Sequence, residues 1–311
     1  MKDYLSEIDA RFPVRNSVAQ KAAFREYALA EARTGAVPAR EEENEGHTNL
    51  IFGDPAAAQV IFTAHYDTPR RGLLPNLMLV TNPALAWTYR LGTMIPLLLA
   101  PALAAAWGVW ALLDLDWALM SHRLLLLGVY TAVYFGMFYL MFRGPANKRN
   151  RNDNTSGTAT VLGLLQLVGN RAGVACILFD DEEKGKKGSK AFAAAHPEIK
   201  ENALIVNLDC VGNGDTHIFC GTDAAQEDPL YETLQQAMAD SGLSHRFFPA
   251  GKARMNSDHK SFDKGVGVCA CRRKPFVGYF TDRIHTARDT VADPETVARL
   301  ADALAAFARR I

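Results

Sequence analysis

Five short segments of this 311-residue chain carry side chains suited to metal binding or proton transfer. His65-Tyr66-Asp67 follows the apolar run 59–64, and Asp180-Asp181-Glu182-Glu183 follows a second run at 174–179. Asp209 ends a third run, and Asp153 stands in Arg151-Asn152-Asp153-Asn154 just before a helical pattern. His285 precedes the last helical pattern, in Ile284-His285-Thr286-Ala287-Arg288-Asp289-Thr290. Carboxylates and imidazoles bind divalent cations and move protons near neutral pH. Residues i and i+2 of a strand share a face, so Asp67 can hold one ring N–H of His65 while the other nitrogen is free to ligate. Taken singly, each segment has an ordinary reading. H-x-D arises by chance, and four adjacent carboxylates can form a solvated turn balanced by Lys184, Lys186 and Lys187. Asp153 and Asp209 can cap helices, and a loop histidine often does nothing.

Such groups need a scaffold, and the chain supplies alternating signals for one. Strands are expected at 59–64, 174–179, 203–208, 216–220 and 266–271. Helices are expected at 157–168, 187–195, 229–241 and 291–310. Strands alternating with helices predict an α/β fold, a mostly parallel or mixed central sheet with helices on both faces in three layers. In such sheets chemistry gathers beyond the carboxyl ends of strands, where the acids and histidines stand. The composition, 49% hydrophobic and 22% charged, is that of a globular chain with a core. Lys+Arg and Asp+Glu both number 34, so no net field exists to hold nucleic acid, and none is expected as a partner. The five cysteines are odd in number, scattered and without a C-x-x-C pair, which reads as reduced buried thiols. Residues 1–33 are too charged for a signal peptide and read as a polar amphipathic helical region. H-E-x-x-H, G-x-S-x-G, P-loop and G-x-G-x-x-G motifs are absent.

One region breaks the pattern. Between Arg90 and Asp114 lie 23 residues without a charge, and between Arg123 and Arg143 lie 19 more. Each approaches the roughly 20 residues that span a hydrocarbon core, so residues 72–143 read as a loop, 72–89, leading into a hydrophobic helical hairpin of two transmembrane helices. Trp107, Trp110, Trp117, Tyr130, Tyr134 and Tyr139 would be interfacial anchors. A soluble hairpin is the alternative. The organisation expected is one catalytic domain, 1–71 with 144–311, interrupted by that insertion. Arg70, Arg71, Arg90, Arg143, Lys148, Arg149 and Arg151 flank the hairpin, whereas Arg123 alone lies in its connection. That bias predicts membrane lipid as a partner through residues 91–142 and a cytoplasmic catalytic domain, or a cytoplasmic protein if the hairpin is soluble. The run Lys148-Arg149-Asn150-Arg151 can be a stop signal, an anionic-lipid contact or a clamp for a substrate carboxylate.

Together the segments form an ordered series: H-x-D, N-D-N before a helix, E-E, L-D, then H-T-x-x-D. Glu182-Glu183-Lys184-Gly185 with Gly188-Ser189, and Ser257-Asp258-His259 with Phe262, extend it. This series resembles the co-catalytic di-zinc aminopeptidase family, which includes bacterial leucyl aminopeptidases and, more distantly, glutaminyl cyclases and the transferrin receptor ectodomain. The resemblance implies that His65 and Asp209 bind one zinc, that Glu183 and His285 bind the other, and that Asp153 bridges both. It implies that Asp67 orients His65 and that Glu182 is the general base, which takes a proton from water to give a hydroxide held by two zinc ions per chain. A peptide would lose its N-terminal residue. The alternatives are a glutaminyl-cyclase-like zinc aminoacyltransferase and a membrane adaptor that has lost catalysis. The chain departs from the family in the long connection from His65 to Asp153, which the apolar insertion fills, and in Lys186 and Lys187 after E-E-x-G. Inserting a long segment is tolerable where its ends emerge close together.

Overall fold

The computed structural model describes residues 2–72, 76–114 and 120–311. Pro75, Asp116 and Trp117 therefore lie outside the described residues. Two helices, α1 (Tyr4–Arg11) and α2 (Val18–Thr34), open the chain and lead to strands β1 (Ala39–Asn44), β2 (His47–Phe52) and β3 (Val60–His65). A short strand β4 (Met78–Leu79) precedes helices α3 (Pro83–Asp114) and α4 (Met120–Arg143). Then come α5 (Gly157–Val168), β5 (Val174–Phe179), α6 (Lys187–Ala195), α7 (Pro197–Asn202) and β6 (Leu204–Leu208). β7 (Thr216–Gly221), α8 (Asp223–Gln226), α9 (Pro229–Asp240) and β8 (His245–Phe248) follow. β9 (Gly265–Lys274), β10 (Gly278–Thr281) and α10 (Pro294–Ala308) complete the order.

The described strands form one mixed sheet in the order β1-β2-β5-β3-β6-β9-β10-β4, with β7 pairing β9 and β8 beside β7. Its centre, β5-β3-β6-β9, is parallel, and the β1-β2 edge is antiparallel. Both faces are covered, which is why the central strands read as unbroken apolar runs. Val60, Phe62 and Ala64 of β3 join Val174, Cys176 and Leu178 of β5 in a large core with α1, α2, α5, α9 and α10. Ile61, Ala175, Ile177 and Phe179 face the other way, onto Phe192 of α6 and Ile199 of α7. Period two along each strand thus builds two cores from one sheet. All five cysteines are free and buried.

Two expectations need correction. The stretch 72–89 was expected to be a loop, but helix α3 starts at Pro83. Proline is compatible with a first helical turn, where its missing N–H is not needed, and Asn82 Oδ1 accepts the Leu85 N–H at 3.0 Å. The expected transmembrane helices are not supported: among the described residues, no helix is long and apolar enough to cross a membrane. α3 begins before the charge-free window and carries Thr88, Arg90 and Thr93 ahead of its most apolar stretch. The two helices do pack on each other. The segment that holds β4 and the two helices begins and ends side by side: Arg70 bridges Ala146, Arg71 N–H donates to Pro145 O at 2.8 Å, and Asn147 N–H donates to Pro69 O at 3.0 Å. Of the basic run, Arg151 is structural, since it pairs with Asp9 of α1 at 2.9 Å.

Candidate active site

His65 ends β3, completely buried. Its Nδ1 lies 3.1 Å from the Asp67 carbonyl oxygen and 3.3 Å from Asp67 Oδ1. That fixes the ring and turns Nε2 toward Asp153, at 3.5 Å, and Asp209, at 3.8 Å. The Asp67 carboxylate also accepts the N–H groups of Glu182 at 3.1 Å and Glu183 at 3.2 Å. One side chain thereby joins the ends of β3 and β5.

After β5 the backbone must turn sharply for two adjacent glutamates to face one place. Asp181 adopts φ 50 and Gly185 φ 98, both left-handed, around a single tight turn at Glu182–Lys184. The four carboxylates separate by partner. Asp180 and Asp181 turn away to the buried Lys21 of α2, with Asp180 Oδ1 at 2.5 Å, while His47 Nδ1 lies 2.9 Å from Asp181. Glu182 and Glu183 remain for the site.

Asp153 does not cap a helix. Asp289 accepts the N–H groups of Asn152 at 2.9 Å and Asp153 at 3.0 Å and so clamps the turn before α5. Asn154 Nδ2 donates to Leu208 O at 2.8 Å, and its Oδ1 accepts from Gly157 and Cys210. The turn is thus pinned to the end of β6. Gly157 is required there, because a Cβ would meet Leu208 O at 2.3 Å. Held this way, Asp153 presents Oδ1 to His65 and Oδ2 to His285, whose Nε2 is 3.0 Å away. His285 also lies 3.4 Å from Glu183 Oε2.

All seven expected residues therefore converge. His65, Asp153 and Asp209 form one group whose donor atoms lie within 4.8 Å of one another; Asp153, Glu183 and His285 form another; His65, Glu182 and Glu183 form a third. The set is nitrogen and oxygen without thiolate, and Asp153 belongs to two groups, so the residues fit divalent cations such as zinc. The electrostatics agree. Burial pushes the Glu182 and Glu183 carboxyls above the usual range, and crowding by other carboxylates adds to it. Burial opposes protonation of His65 and His285, but the surrounding carboxylates win and raise both well above an ordinary imidazole. The two imidazoles in turn overcome burial to hold Asp153 far below the carboxylate range. A site this rich in carboxylate calls for cationic charge.

Several supporting residues were not assigned from sequence. Arg15 is fully buried, and burial lowers its guanidinium to about 10. It donates to Tyr66 O at 2.5 Å, Phe12 O at 2.7 Å and Thr155 Oγ1 at 3.2 Å, tying the N-terminal segment to the site. Asp258 is fully buried and pushed up to about 7 by burial and by Asp67 and Asp209. Asp258 and Asp289 did stand in motifs of the series, Ser257-Asp258-His259 and H-T-x-x-D, whereas Arg15 left no signal.

Comparison with solved structures gives the same architecture. Legionella pneumophila LapA aminopeptidase superposes with a TM-score of 0.58 at 13% identity, covering 98% of this chain and 68% of that one. Porphyromonas gingivalis glutaminyl cyclase gives 0.59 at 15% identity, covering 99% and 96%. A leucine aminopeptidase precursor from Bacteroides thetaiotaomicron gives 0.55 at 14%, covering 98% and 94%. At these identities the likeness is one of fold. No curated protein matches the sequence. Residues 145–308, more than half of the chain and the part holding Asp153, Glu182, Glu183, Asp209 and His285, match peptidase family M28, and the chain belongs to that family.

Proposed function

We propose that this chain is a zinc-dependent aminopeptidase that removes N-terminal residues from short peptides. The observation that carries the reading is the sharing of Asp153 between two donor groups, each completed by one histidine and one further carboxylate. His65 and Asp209 would hold one zinc, and Glu183 and His285 the other. Bound there, zinc would supply a Lewis acid for the scissile carbonyl and acidify water. Glu182, its carboxyl raised by burial, accepts a proton from the attacking water and returns it to the leaving amine. Asp67 keeps the His65 ring in place and holds the backbone of Glu182. The test is metal content with peptide hydrolysis. Two zinc ions per chain and release of the first residue support the reading, with loss of about two to four orders of magnitude in Glu182→Gln. One zinc, with cyclisation of N-terminal glutamine and no hydrolysis, would favour the glutaminyl-cyclase alternative. Zinc binding without turnover of either substrate would favour a retired adaptor.

We propose further that α3 and α4 contact membrane lipid and that the catalytic part faces the cytoplasm. Most of the exposed large apolar side chains among the described residues stand on these helices, including Trp87, Leu103, Trp107, Trp110, Leu125 and Phe135. Apolar surface on this scale needs cover. The surplus of Lys and Arg at the base of the pair over its connection supports the orientation. Full-length protein that stays in the supernatant without detergent would contradict the lipid contact.

A further inference from the structure

The catalytic cavity is small, about 280 Å³, and is lined by Asp153, Glu182, Glu183, Asp209 and His285. It adjoins a second cavity of about 730 Å³, a volume typical of binding sites. Asn76, Met78, Arg90 and Asn256 line both, so the two spaces meet at these residues. The charges divide between them. Four carboxylates line the first, with Lys186 and the shared Arg90 at its edge, whereas the charged residues lining the second are Arg90, Arg254 and Lys260, with no Asp or Glu among them. No ion pair with a carboxylate is found for these three cations among the described residues. At the junction, Lys186 Nζ donates to Asn256 Oδ1 at 2.8 Å.

Arg90, Arg254 and Lys260 are exposed side chains on one cavity wall, where they offer an anion its counter-charge, and the planar guanidinium matches a carboxylate with two parallel hydrogen bonds. The cavity pair is polarised, with acid around the reacting centre and base beyond it. A short peptide has the same polarity, an ammonium at one end and a carboxylate at the other. An extended residue spans at most about 3.3–3.6 Å, so a peptide of a few residues reaches from one cavity into the next. Arg90 belongs to α3, so the apolar helix contributes this wall of the site.

Resting on the aminopeptidase reading, we propose that the second cavity is a carboxylate subsite, with Arg90, Arg254 and Lys260 as its recognising groups. The substrates are then short peptides with a free C-terminus, or with an acidic side chain at the matching position. Full-length zinc-loaded protein is assayed with Leu-Ala-Ala as free acid and as C-terminal amide. The free acid is expected to be preferred about tenfold in kcat/KM, chiefly through KM. The preference should shrink with added salt and fall toward one in the triple variant Arg90→Gln, Arg254→Gln, Lys260→Gln, with Arg90→Lys alone keeping part of it. An amide carrying Glu in third place separates the two carboxylate sources: recovery assigns the subsite to either source, and no recovery to the terminus alone. Equal rates on acid and amide, or a preference that survives in the triple variant, overturns the proposal. Should neither peptide be hydrolysed, the aminopeptidase reading fails, and calorimetric binding of the same two peptides still decides the subsite, equal affinities refuting it.

Discussion

Asp180 and Glu183 are three residues apart and chemically alike, yet only Glu183 faces His285. Lys21, far away in sequence, makes the difference by drawing off Asp180 and Asp181. The donors were legible because each stands at a strand end or before a helix, and their order matched a known series. Lys21, Arg15 and Arg90 were not legible, because their importance arises from contacts across long separations that leave no local trace. The titrating groups give a signed prediction. In metal-free protein the raised His65 and His285 contribute stability that is present below the unfolded value of about 6.5. That contribution is lost as pH rises through their raised folded values, and zinc must displace the same protons. The gain in melting temperature on adding zinc should therefore grow from pH 6 to pH 8, and zinc titration should release protons. His285→Ala should lower zinc content from two toward about one per chain, measured by atomic emission after dialysis.

At the level of elements, strands β5 and β6 and helices α5 and α6 fall at or within a residue of where the apolar periods and capping residues put them. Burial on both faces makes those signals strong. The β1-β2 edge was missed because β1 (AREEEN) is polar and only half-covered, so it shows no apolar alternation. The start of α3 was missed within the expected loop 72–89 because Pro83, which opens it, is a residue that more often ends a helix. The turn before α5 is the least tolerant element. Gly157→Ala forces a Cβ against Leu208 O, backbone that cannot swing aside. A loss of about 1–3 kcal/mol is expected in denaturant unfolding, with the two-metal donor set disturbed because Asn154 and Asp153 share that turn. An unchanged midpoint would show that β6 yields.

On the scale of the whole molecule, the chain adds an apolar pair of helices to a family fold, entered through β4, which pairs with β10. The pairing of Arg70 with Ala146 keeps the ends of that segment together, so its closure asks little of the core. Replacing residues 84–142 by a flexible glycine linker, which keeps β4 and Val80 in place, should leave a folded, zinc-binding protein that no longer sediments with membranes, as fractionation and circular dichroism would show. The organisation into one catalytic unit and one inserted pair is the proposal that this deletion tests. A two-zinc centre requires residues from five distant stretches to enclose paired cations. Crystals grown with zinc and measured at its absorption edge test this most directly. The expected map has two anomalous peaks, one among His65, Asp153 and Asp209 and one among Asp153, Glu183 and His285. A map with no peak there, or with its peaks elsewhere on the surface, would contradict it.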